Sequence, residues 1–217
     1  MKKGFIFDLD GVIVDTAKYH FLAWQNLANS LGISFSEEQN EQLKGVSRVR
    51  SLEKILEWGN KTISEEEFTR LMTEKNVEYL QYIDKMDTTE ILPDVPRVLE
   101  YLIDNQQLIA LGSASKNARV ILEKVKLSKK FHTIVDGNDV SKAKPDPEVF
   151  LIGAEKLDLA PGNCIVFEDS VAGVQAANIA NMVSIGIGDA QVLHEADYVF
   201  DDFTQITEEF ISNLIKA

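Results

Sequence analysis

Along most of this chain short apolar runs alternate with stretches at helical spacing, and in one place, residues 15–84, the alternation stops. Gly4 to Leu9 is a short Phe- and Ile-rich run and reads as a buried strand. The next strand-like run is Leu108 to Leu111, followed by Phe131–Val135, Ile165–Phe167, Met182–Ile185 and a short one near Val199. Between them lie helical patterns. One is opened by Pro93 and Pro96 and runs to about Asn105, one covers about Lys116–Lys126, and one is capped by Asp146 with Pro147 at its first position. Another follows Ser170, and a last one ends the chain. Strands and helices in turn predict a parallel sheet with helices on both faces.

Residues 15–84 break that rhythm. Ala17, Phe21, Trp24, Leu27, Ala28 and Leu31 recur at helical spacing, and Gly32 supplies the stop. Ser36-Glu37-Glu38-Gln39 and Ser64-Glu65-Glu66-Glu67 have capping-box form, and a further helix covers about Arg48–Trp58. The expected fold class is therefore α/β: a doubly wound parallel sheet built from residues 1–14 and 85–217, with an α-helical domain of residues 15–84 inserted after the first strand.

The apolar first strand runs into Asp8 and Asp10, with Gly11 behind them. A buried carboxylate is costly unless a cation or hydrogen-bond donors meet it. In a doubly wound sheet, ligands bind beyond the carboxyl ends of the strands. The other strand ends lead into Ser113-Ala114-Ser115-Lys116-Asn117 and Glu168-Asp169-Ser170, and Lys144 lies in a loop of the same type. Four loops far apart in sequence would bring acids, a hydroxyl and a lysine to one edge, with no free His or Cys. Carboxylates without soft ligands select a hard cation, Mg²⁺ above all. A hydroxyl and a lysine complement phosphate oxygens. Asp can act as a covalent nucleophile, and an Asp two residues on is within reach to act as general acid or base.

Each of these residues has a plainer reading when taken alone. Asp10-Gly11 could be a hairpin turn, but helical spacing follows it. An EF-hand counted from Asp8 would need Gly and Glu where Ile13 and Tyr19 stand. Ser113 could be a loop hydroxyl, Glu168-Asp169 a solvated turn and Lys144 an exposed charge. The set, with its order and spacing, is what points to phosphoryl transfer.

Bulk properties narrow the setting. With 217 residues and a net charge of −13, the chain lacks the cationic surface that nucleic acid requires. A small phosphorylated ligand needs only a few local cations. The lone Cys164 suits a reducing compartment, so a cytoplasmic protein is expected. Asp8 and Asp10 interrupt the run after Met1-Lys2-Lys3 too early for a signal peptide, and no apolar stretch is long enough for a membrane span.

Asp8-Leu9-Asp10-Gly11-Val12, then Ser113, Lys144 and Glu168-Asp169, resembles the four-motif signature of the haloacid dehalogenase superfamily of phosphatases and mutases. Asp15-Thr16-Ala17-x-Tyr19-His20 with Ala23-Trp24, Leu43-Lys44-Gly45-Val46-Ser47-Arg48, Gly112–Asn117 and Lys144–Glu148 are similar to its β-phosphoglucomutase family. The likeness covers the whole chain. It implies an Asp8 nucleophile, an Asp10 acid/base, and Ser113 and Lys144 holding the transferring phosphoryl group. Asp8, the Asp10 carbonyl and Asp169, with Glu168 beside them, would bind Mg²⁺. His20 would link closure of the helical cap to the positioning of Asp10.

A second phosphate site would lie in the cap, where Gly45, Val46, Ser47 and Arg48 lead into a helix N-terminus. Lys75 would lie near the sugar. Thr16, Trp24 and the Ala114, Ser115, Lys116 and Asn117 loop complete the expected substrate contacts, with Trp24 read chiefly as packing. Two phosphate sites suit a mutase whose sugar-bisphosphate intermediate turns round between half-reactions. The resemblance implies interconversion of β-D-glucose 1-phosphate and β-D-glucose 6-phosphate through an aspartyl-phosphate and β-glucose 1,6-bisphosphate. A single closing cap suits a monomer. Two alternatives stand beside this reading: a sugar-phosphate phosphatase on the same scaffold, and a non-catalytic sensor of a phosphorylated metabolite.

Overall fold

The computed structural model describes residues 2–216; Met1 and Ala217, at the ends of the expected core segments, lie outside the described residues. Six strands form one parallel sheet: β1 (Gly4–Phe7), β2 (Leu108–Gly112), β3 (Thr133–Val135), β4 (Cys164–Glu168), β5 (Val183–Ile187) and β6 (Tyr198–Phe200). Their order across the sheet is β3-β2-β1-β4-β5-β6. The chain therefore builds outward in one direction from β1, then returns and builds outward in the other from β4. The carboxyl ends of β1 and β4 flank this switch point, where a crevice opens in such sheets.

The two-residue period of β1 explains why it is buried on both faces. Phe5 and Phe7 enter a cluster with α5 (Val95–Asp104), α6 (Ala118–Lys124) and α9 (Glu208–Lys216). Ile6 points the other way, into a cluster with α7 (Glu148–Lys156) and α8 (Val171–Ile179). Phe7 stacks on Phe167 of β4 with ring centroids 4.6 Å apart. β1 is thus held by apolar packing on both faces while its end meets the polar edge. The helix expected to begin at Pro147 begins one residue later. Pro147 is its cap, and the Asp146 carboxylate accepts from the Glu148 N–H at 3.1 Å.

Between β1 and β2 the chain forms α1 (Ala17–Ser30), α2 (Glu37–Glu41), α3 (Arg48–Trp58) and α4 (Glu65–Ile83). Of the two expected capping boxes one closes in full, and Ser64 with Glu67 forms only its N-cap half. Ser36 and Gln39 form a reciprocal capping box, and the Ser47 and Ser64 hydroxyls accept from the N–H groups of Arg50 and Glu67. These helices carry a hydrophobic cluster of their own around Trp24, Leu52, Ile55 and Leu71. The two connections to the sheet run side by side. Asp15 donates from its backbone to the Glu90 carbonyl at 3.0 Å, and the Glu90 carboxylate accepts from Lys18 and Tyr19, both at 2.6 Å. Among the described residues no helix is long and apolar enough to cross a membrane.

Candidate active site

A cavity of about 380 Å³ lies between the carboxyl edge of the sheet and the inserted helices. That size is ordinary for a small-molecule site. Its floor is made by the strand ends. Asp8 follows β1 and is anchored by its N–H to the Phe167 carbonyl at 3.0 Å. One carboxylate oxygen, Oδ1, accepts from Lys144 Nζ at 2.6 Å; the other, Oδ2, accepts from the Asp10 N–H at 3.1 Å. Ser113 follows β2, and its Oγ accepts from the Ser115 N–H at 3.1 Å. Asp169 follows β4. Gly11 is required here: its φ of +80° is left-handed, and a Cβ would collide with the Asp169 carboxylate.

Lys144 is wholly buried and bonded to both Asp8 and Glu168. Burial by itself lowers an ammonium, but the two carboxylates outweigh it and raise Lys144 above its ordinary range. The acids go the other way. Asp8 is pushed up to about 7 by burial, with Glu168 and Asp10 adding to the rise and Lys144 opposing it. Asp169 is raised well above the carboxylate range by burial and then by Glu168. Asp10 is raised by burial as well, against the hydrogen bond from Thr16.

The floor thus crowds oxygen anions that one buried lysine does not balance. Asp8, Asp169 and the Asp10 carbonyl are hard oxygen donors, and the surplus of buried negative charge fits a small divalent cation such as Mg²⁺.

Two expected residues stand behind the cavity wall rather than in it. Glu168 is fully buried, with Oε1 taken by Lys144 and Oε2 accepting from the N–H and the hydroxyl of Ser170 at 2.9 and 2.8 Å. Both Glu168 oxygens thus accept hydrogen bonds from protein groups, and Glu168 orients Lys144 from behind the cavity wall. Thr16 is fully buried too, and its hydroxyl donates to Asp10 Oδ1. It orients the acid/base candidate and does not line the cavity.

The roof is cationic. Lys75 of α4 is buried with its ammonium 4.5 Å from the centroid of the Trp24 ring and 4.7 Å from that of Tyr79, and 3.1 Å from His20 Nδ1. Burial, and then Arg48, push Lys75 down to about 7, while Asp10 pulls it up. His20 falls well below its ordinary range through burial, Lys75 and Arg48. Trp24 therefore does more than pack. Gly45, Val46, Ser47 and Arg48 line the cavity at the start of α3. Gly45 has a left-handed φ of +68°, and a Cβ there would run into Ser170 Oγ. Ala114, Ser115, Lys116 and Asn117 line the side wall.

The sequence reading gave no role to Lys44, which it named only within a motif, and did not single out Asn76 or Tyr79. Tyr79 was within reach of it: it lies one turn after Lys75 on the same helix face. Asn76 accepts from the Asn117 side-chain amide at 3.1 Å, a bond between helix α4 and the loop after β2. No spacing rule announces such a contact. Lys44 pairs with Asp169 across the same divide.

Comparison with known proteins agrees with this geometry. Residues 2–181 match the model of the haloacid dehalogenase-like hydrolases. Over 96% of its length the chain is 41% identical to a β-phosphoglucomutase of Bacillus subtilis, covering 93% of that protein. It is 30% identical, over 97% of both chains, to a phosphorylated carbohydrates phosphatase of Thermotoga maritima. The crystal structure of a β-phosphoglucomutase from Clostridium difficile superposes with a TM-score of 0.95 at 44% identity, covering all of this chain and 98% of the other. The six-stranded parallel sheet, the Asp8 and Asp10 pair after its first strand and this extent of similarity place the chain in the haloacid dehalogenase-like hydrolase family.

Proposed function

We propose that the protein is a phosphomutase that interconverts β-D-glucose 1-phosphate and β-D-glucose 6-phosphate through phospho-Asp8 and a β-glucose 1,6-bisphosphate intermediate. In this reading residues 15–84 are a cap domain over a core of residues 1–14 and 85–217. The observation that carries it is the two-ended cavity. Ser113 and Lys144 lie beside Asp8 at the floor, and Arg48 and Lys75 lie in the roof. A bisphosphate needs an anion site at each end; hydrolysis of a monophosphate needs only the floor.

The residues divide the work as follows. The enzyme starts with Asp8 phosphorylated. Asp10 takes the proton of the sugar hydroxyl as that oxygen attacks phosphorus, and the Asp8–phosphorus bond breaks. The bisphosphate turns round. Asp8 then attacks the other phosphoryl group, the phosphorus–sugar oxygen bond breaks, and Asp10 returns its proton to the leaving oxygen. Thr16 holds Asp10 in line, and Glu168 holds Lys144.

Lys144 and Ser113 bind the phosphoryl oxygens, and Arg48 holds the distal phosphate. His20 pins Lys75, which binds the sugar phosphate in the roof, and links closure of the cap to the positioning of Asp10. Asp8, the Asp10 carbonyl and Asp169 would hold Mg²⁺, which would supply positive charge against the phosphoryl oxygens. The cap excludes water, so that a sugar hydroxyl rather than water receives the group.

A coupled assay with β-glucose 1-phosphate, catalytic bisphosphate and Mg²⁺ tests the reading; turnover to glucose 6-phosphate is expected. Hydrolysis of small sugar phosphates without isomerisation would favour the phosphatase reading, which the Thermotoga relative's name keeps in view. We also infer a cytoplasmic monomer, on the buried lone Cys164 and the single closing cap. Gel filtration checks the second point.

A further inference from the structure

A cation from the cap reaches the carboxylate edge of the core. The Lys44 ammonium is 3.5 Å from Asp169 Oδ2 and 2.8 Å from Glu41 Oε2. Its two acids differ sharply in setting: the Asp169 side chain is 8% exposed and that of Glu41 is 60% exposed. Lys44 therefore stands between a buried carboxylate and a solvated one. The close approach depends on its neighbour Gly45, which packs where any side chain would strike Ser170. The Gly11 backbone approaches Asp169 Oδ2 closely, where any side chain would strike it. A second cation bound at Asp169 would therefore lie close to the Lys44 ammonium.

We propose that Lys44 is a removable counter-ion for Asp169, so that closing the cap and loading a divalent cation oppose one another until a sugar phosphate lies between them. The inference rests on the reading of Asp8 and Asp169 as the cation site. Its physics is simple. Two positive charges drawn to one buried carboxylate repel each other, and low surrounding polarity strengthens the repulsion. Anionic phosphate entering the cavity adds the negative charge that lets both remain. Glu41 is the positioning residue, because it gives Lys44 a second charged acceptor at the rim. The coupling is reciprocal: whatever Lys44 costs cation binding, the cation costs cap closure.

The test is calorimetric titration of Mg²⁺ into the full chain without sugar phosphate, for the wild type, Lys44→Met and Glu41→Gln. Lys44→Met should bind Mg²⁺ roughly fivefold more tightly, the low end of couplings between sites. Glu41→Gln should bind it about twofold more weakly, since Lys44 loses its charged alternative to Asp169. Opposite shifts from two neighbouring substitutions are not what a loss of folding produces. Small-angle scattering supplies a second readout: Mg²⁺ should expand the wild type and leave Lys44→Met unchanged. Equal or weaker Mg²⁺ binding by Lys44→Met overturns the inference while leaving the cation site standing. A wild type that takes up no Mg²⁺ removes the site and the inference with it.

Discussion

The floor and the roof of the cavity solve opposite electrostatic problems with different materials. The floor hangs from strand ends in a sheet buried on both faces, so its groups have little room to move. It gathers Asp8, Asp10, Glu168 and Asp169 around one buried lysine, and Asp8 and Asp169 are driven upward in pKa by burial. The roof is carried by helix faces and a loop. It gathers Arg48, Lys75 and His20, and Lys75 and His20 are driven downward. A surplus of anions below calls for a cation. A surplus of cations above calls for an anion. A phosphorylated sugar with Mg²⁺ meets both needs at once, which is why the two halves make more sense together than apart.

This contrast can be broken from below. Asp8→Asn should abolish turnover and leave no phosphorylated protein by mass spectrometry, because the amide oxygen cannot serve as nucleophile. Residual mutase activity would remove Asp8 from the floor's central role. Asp10→Asn should be next in size, with turnover lower by about 10³-fold, within the range for losing a general acid–base. Phosphate should still bind to that variant, as equilibrium dialysis can check, since its contacts to Ser113 and Lys144 remain.

From above, Arg48→Ala should reduce mutase turnover by roughly 10²-fold, the cost of losing a charge-assisted anchor for the distal phosphate. Asp8 should still become phosphorylated in a chemical phosphorylation assay. Unchanged turnover would refute the second phosphate site and leave the roof without its assigned task.

The smallest effect is on stability, and it has a distinctive pH dependence. Lys75 has a folded-state pKa lowered from 10.5 to about 7. Between those values the unfolded chain keeps a proton that the folded chain has lost, so stability rises with pH across that window. Below about 7 both states hold the proton, and the full cost of burying the charge is present. Lys75→Met should therefore stabilise the fold most at or below pH 7, by roughly 5 °C in melting temperature, with the gain vanishing towards pH 10.5. A gain independent of pH would mean that packing, rather than charge, sets the roof's cost.

Much of the floor was legible in the amino-acid pattern because a parallel sheet orders it. Once β1, β2 and β4 are recognised, Asp8, Ser113 and Asp169 must share an edge, whatever the intervening chain does. Their side chains needed no further information to be gathered in one place. The roof was legible only through its helix caps and through resemblance. Ser47 and Gly45 marked where α3 begins, but the pattern does not say what α3 faces.

The structure adds most where a role depends on which way a side chain turns. Glu168 and Asp169 are neighbours in sequence, yet one turns inward to Lys144 and Ser170 and the other toward the cavity. Thr16 looked like a substrate contact and turned out to brace Asp10 from behind. Such turns are set by packing between segments distant in sequence, and local propensity carries no record of them.

The order of strands and helices, the acids at the strand ends and the helical insertion follow from periodicity, capping residues and the cost of burying charge, all of which act locally. Which carboxylates are free to hold a cation, how Lys75 comes to sit among Trp24, Tyr79 and His20, and that Lys44 and Asn76 reach across to Asp169 and Asn117 came from the folded arrangement alone. Apart from Lys75 and Tyr79 on one helix, these contacts join segments tens of residues apart, and those of Lys44 and Asn76 exist only once the inserted helices have been brought down onto the edge of the sheet.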